Sequence, residues 1–195
     1  MVQRGGLPGG DRRWGGAEPA GAGRSGKGAS VTELEELLER FRRGPEVVAV
    51  AATGVAGSQL DFAPAPGKWS IRQIVCHLAD AELVTGVRLR RVIAEDDPLL
   101  EAFDQDAWAL RLGYSQRRFS AALESFRRLR GDNYELLKAL APEAFERRGR
   151  HAETGPLRLV DLVRSAAAHA EAHARQILEI RDAYRARQAG SGSGA

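Results

Sequence analysis

The chain has 195 residues, 43% of them hydrophobic, and a formal net charge of +3 from 29 Lys and Arg against 26 Asp and Glu. That length suits one domain with a sizeable core. A single cysteine, Cys76, excludes a disulfide framework and fits a reducing cytoplasm, and no run approaches the ~18 uncharged apolar residues that span a bilayer. The glycines follow no collagen period.

The first 29 residues include ten glycines. Such a composition cannot bury enough apolar surface to offset its ordering entropy, so residues 1–29 read as a disordered tail. They also lack the apolar run of a signal peptide. This tail carries the charge excess: Arg4, Arg12, Arg13, Arg24 and Lys27 against Asp11 and Glu18, which leaves 24 basic and 24 acidic residues elsewhere. A nucleic-acid-binding domain shows its basic face on folded elements. RNP-type aromatics and zinc-finger cysteines are missing too, so no nucleic-acid partner is expected, and no membrane.

Ser30-Val31-Thr32-Glu33 reads as a capping box, followed by Leu34, Leu37, Leu38 and Phe41 at helical spacing. Gly44-Pro45 breaks that helix. Residues 47–55 form either a second short helix or a continuation after a kink, and the glycines and prolines up to Gly67 make a loop. Ser70-Ile71-Arg72-Gln73 is a second capping box, with Trp69 and Ile74 spaced as a hydrophobic staple. Its stripe runs through Val75, Leu78, Thr85, Leu89, Val92 and Ile93 and ends near Glu95. A short helix is expected over 101–110. Ser115 is expected to cap a third long helix, stapled by Tyr114 and Phe119 and ended by Pro142. The last helix is expected from about Pro156, which suits a first turn, to Arg187. Residues 189–195 read as a second loose tail, so the domain spans 30–188. No alternating strand pattern of useful length appears. Four amphipathic helices with short extra helices in the connections predict an all-α four-helix bundle.

Polar residues on apolar stripes carry the functional information. His169 and His173 stand one turn apart on the inward face of the last helix, with Gln176 close to the same edge. His77 lies at the edge of the Ser70-capped stripe. Two histidines four apart on a helix can grip one ion, and a third from a neighbouring helix completes a facial set with positions left open for chemistry. A hydrogen-bonded core histidine is the ordinary alternative, and spacing alone leaves open whether His77 meets the pair. Glu171 lies about 200° around the helix from either histidine, so this is not the zinc-protease HExxH arrangement. Glu82 and Arg130 sit centrally on their stripes and are expected to pair, as a structural link or as support behind the ion. Asp80 reads as a surface residue that could orient an imidazole, Cys76 as a small buried hydrophobe, and His151 as a solvated loop residue. Trp69 and Trp108 read as packing residues that could also line an entrance.

The segment from Pro66 through Trp69-Ser70, His77 and Glu82, followed by His169-x-x-x-His173-x-x-Gln176-Ile177, resembles the two signature motifs of the DinB/YfiT-like superfamily. The resemblance covers about residues 31–186. It implies an up-down-down-up-type bundle holding a divalent ion (Zn, Ni, Mn or Fe) through His77, His169 and His173. Relatives include transferases that use bacillithiol or similar low-molecular-weight thiols and mycothiol-dependent isomerases, and many members are dimers. The expectation is therefore a metal-dependent transferase that activates a thiol cosubstrate for attack on a small electrophile, in a cytoplasmic protein for which a homodimer is one expected assembly. The alternatives are a metal-dependent hydrolase and a non-catalytic stress-response or metal-binding bundle. Arg158 departs from the pattern, since relatives often place a small hydroxyl residue at the start of the last helix.

Overall fold

The computed structural model of the chain describes residues 31–192. The tail over 1–29 and the cap expected at Ser30 lie outside the described residues. Helix α1 (Val31–Arg42) stops where Gly44-Pro45 intervenes, and α2 (Gly44–Ala51) restarts with the proline in its first turn. That position suits proline because its missing N–H has no helical acceptor. A short turn, α3 (Ser58–Asp61), interrupts the segment expected to be all loop. Helix α4 (Ile71–Ala94) begins with the full capping box: the Ser70 side chain accepts from Gln73 N, and the Gln73 side chain accepts from Ser70 N. Helix α5 (Gln105–Arg111) is capped by Asp104, α6 spans Phe119–Lys138, and α7 spans Leu159–Gly192.

The broken α1–α2 helix packs on α6 and α7, and α4 packs on the same two helices. The result is the expected four-helix bundle, with α1–α2 diagonal to α4. Its core has two apolar halves. One gathers Val48, Ile74, Leu78, Phe126 and Ile177; the other gathers Phe41, Leu89, Leu137, Leu159 and Val163. Between them on α4 and α6 lie the buried polar residues Glu82, Arg130 and Asn133. Among the described residues, no helix is long and apolar enough to cross a membrane.

Four expectations need correction. A three-stranded sheet is present, in the order β1 (Leu99–Leu100), β2 (Arg148–His151), β3 (Gly155–Arg158). Strands of two and four residues are too short for an alternating pattern to stand out. Pro156 belongs to β3, opposite Arg150, and does not open α7. Proline fits there because β3 is an edge strand. The helix starts three residues later, where Asp161 accepts from the Arg158 backbone N–H at 3.0 Å and from its guanidinium. This is the N3-to-N-cap half of a capping box; the Arg158 guanidinium offers no acceptor for the first-turn N–H groups. Ser115 does not cap α6; Gly113, with φ 62°, carries the chain through a turn, and the helix opens at Phe119 without a side-chain cap. Finally, α7 continues to Gly192, into the segment read as a loose tail.

Candidate metal centre

The Ser70 cap sets the phase of α4, and two turns later His77 points into the bundle, 1% exposed. Helix α7 presents His169 and His173 across from it, both half-buried. The Nε2 atom of His169 lies 3.1 Å from Nε2 of His77 and 3.0 Å from Nε2 of His173. One ligand nitrogen from each of the three lies within 4.8 Å of the others. The sequence left open whether His77 meets the pair; the bundle brings the three rings to a common point.

Burial holds these imidazoles neutral. His77 is pushed down to about 3, mainly by desolvation and secondarily by the charge of His173. His169 is held well below the ordinary imidazole range by desolvation, then by its two histidine neighbours and Arg130. His173 is lowered by desolvation, against the hydrogen bond from its ring to Gln176. Its Nδ1 lies 2.8 Å from Gln176 Oε1.

These residues fit a divalent cation. A metal needs neutral imidazoles, and ligands about 2.0–2.1 Å from one ion sit roughly 3 Å from each other. Three ring nitrogens crowded so closely cannot all satisfy one another by hydrogen bonds, since each neutral ring carries one N–H. The Nδ1 of His77 is buried and meets no partner, so that ring is not anchored from behind.

The surroundings sort the remaining candidates. Arg130 donates to Glu82 at 2.6 Å, with both side chains at most 3% exposed, and Asn133 donates to the other carboxylate oxygen at 2.8 Å. Arg130 also donates to the carbonyls of Phe41 and Ala166, and its guanidinium lies over the rings of Phe41 and Phe126. Asp80 pairs with Arg117 at 2.8 Å. Glu171 faces away from the triad and takes a two-pronged bond from Arg40. Cys76 is buried, with its thiol directed at the Tyr114 carbonyl. His151 is corrected: it is 6% exposed on β2, and its Nδ1 accepts from the backbone N–H groups of Glu153 and Thr154. The sheet that the sequence did not reveal is what buries it.

Trp69 lies against His77 at 4.8 Å between ring centres with the planes tilted by 55°, Phe103 lies 6.3 Å from the same ring, and Trp108 packs on Phe103 at 4.7 Å. The two tryptophans therefore stand beside the triad. Phe103 was not singled out from the sequence; its five-residue offset from Trp108 matches no helical face and gave no signal.

Three comparisons bear on this site. A protein of Oceanobacillus iheyensis is 26% identical over 150 residues, covering 77% of this chain and 83% of its own. The YfiT protein of Bacillus subtilis is 28% identical over 124 residues, covering 64% and 66% of the two chains. Both carry the provisional name of metal-dependent hydrolase. The solved structure of Bacillus subtilis YfiT, described as a four-helix bundle of unusual topology, superposes with a TM-score of 0.75 at 24% identity, over 88% of this chain and 96% of that one. The DinB superfamily model matches residues 26–177, most of the described fold, and the chain belongs to the DinB superfamily.

Proposed function

We propose that this chain is a divalent-metal-dependent transferase that joins a low-molecular-weight thiol to a small electrophile. The observation that carries the reading is the convergence of three neutral Nε2 atoms from two helices, two of them on half-buried residues. A divalent ion held there would lower the pKa of a nucleophile reaching its open positions and polarise an electrophile beside it. His77, His169 and His173 bind and orient. Trp69, Phe103 and Trp108 shield the His77 side from water.

The nearby carboxylates favour a thiol over water as nucleophile. Glu82 is tied to Arg130 and Asn133, Asp80 to Arg117, and Glu171 to Arg40. None of these three stands ready as a general base. A thiol, with a pKa of about 8.5 before any ion is bound, ionises beside a divalent cation without a general base. Its proton passes to solvent as the sulfur–carbon bond forms and the leaving group departs. Hydrolysis is the second reading, favoured by the names of the relatives.

The test combines metal analysis with turnover. Purified protein should carry about one equivalent of divalent metal, and His77→Ala and His173→Ala should lose it while keeping their helical circular dichroism. Turnover of 1-chloro-2,4-dinitrobenzene should require both metal and an added thiol such as cysteine or glutathione. Thiol-independent hydrolysis of an activated ester or amide would move the assignment to hydrolase. Metal bound without turnover of either kind would leave a non-catalytic bundle.

A further inference from the structure

His173 and Gln176 are three residues apart on α7, so their side chains are neighbours on one face. The Gln176 oxygen lies 2.8 Å from His173 Nδ1. An amide oxygen can only accept, so Nδ1 carries the ring proton and Nε2 keeps its lone pair. That lone pair faces His169 Nε2, 3.0 Å away. The opposite tautomer would place an N–H where a cation must sit.

The geometry points to Gln176 as a positioning residue that holds His173 in its Nδ1–H tautomer and keeps the Nε2 lone pair turned to the point shared with His77 and His169. The metal ligands are then unequal. His173 is preset from behind by a neutral acceptor on its own helix, whereas His77 has no partner at Nδ1. The preset exists before any ion arrives, because it depends on one hydrogen bond within a single turn. Partners of this kind govern the tautomer and basicity of ligating imidazoles, and their loss typically weakens metal binding roughly 10–100-fold.

Only the metal arm of the test rests on the function proposed above. In full-length, chelator-treated protein labelled with 15N-histidine, long-range proton–nitrogen spectra report each ring's tautomer, with His173 assigned by substitution. Wild type should show His173 with a protonated Nδ1. Gln176→Glu, which keeps the acceptor, should preserve that pattern. Gln176→Leu should release it and, in a competition titration with Zn²⁺, weaken binding roughly 10–100-fold, while Gln176→Glu binds at least as tightly as wild type. A purely structural glutamine would lower the melting temperature of Gln176→Leu without changing the tautomer, and that result overturns the inference. So does an Nε2–H tautomer in wild type. If Gln176→Leu does not fold, the wild-type and Gln176→Glu spectra still decide. If wild type binds no Zn²⁺ yet keeps the Nδ1–H tautomer, the inference stands and the metal reading falls.

Discussion

Among single residues, Glu82 and Arg130 place an ion pair inside the core. Both are buried, Arg130 donates to one Glu82 oxygen while Asn133 donates to the other, and Arg130 additionally ties Phe41 to Ala166. Removing one partner strands a charge in the core, which costs about 3–5 kcal/mol, whereas replacing both with apolar side chains strands none. Glu82→Leu and Arg130→Met should each lower stability by that amount in urea titrations, and the double variant should lose less than the two singles combined. The pairing was readable in the sequence because a charge at the centre of an apolar stripe requires a partner. The roles of Asn133 and Gln176 were not, since an amide at helical spacing has no sign of charge to announce its acceptor.

At the scale of elements, the bundle depends on how its helices start and break. The Ser70 box is typical of helix N-termini, and Ser70→Ala should cost about 1 kcal/mol. It should appear as a lower urea midpoint with an unchanged slope. The break between α1 and α2 is more demanding. A Cβ at Gly44 would lie 2.6 Å from Arg130 Nη1 and 3.1 Å from the Ala170 Cβ. The guanidinium cannot give way without leaving Glu82, so Gly44→Ala should cost about 1–3 kcal/mol through overpacking. In an Arg130→Met background that penalty should shrink, and a double-mutant cycle of unfolding free energies measures the coupling. The helix start at Ser70 followed from side-chain chemistry written into the sequence, whereas the short helix expected from 101 starts only after Asp104. The starts at Phe119 and Leu159 did not follow from it, because a positive-φ glycine and a strand pairing set them.

For the molecule as a whole, the triad links stability to pH and to metal. In the metal-free protein the three imidazoles stay neutral below the pH at which an unfolded histidine protonates. Below about pH 6.5 the unfolded chain therefore takes up protons that the folded one refuses, and stability falls as pH drops. His151, also lowered by burial, adds to the same trend. Urea unfolding of chelator-treated protein should give a lower stability at pH 5.5 than at pH 7.5. Zn²⁺ should raise the stability at both pH values, because it binds the folded triad.

Local chemistry was enough to determine the helical class, the capped start of α4, the neutral balance of charge beyond residue 29 and the placement of His77, His169 and His173 on or beside inward helix faces. These follow from side-chain periodicity and hydrogen-bonding capacity, which act over one or two turns. The meeting of His77 with a pair 92 residues away, the burial of His151 by a small sheet and the aromatic cover over the triad were decided only by tertiary structure. Helix spacing states which face turns inward, but the packing of one helix against another determines what that face meets.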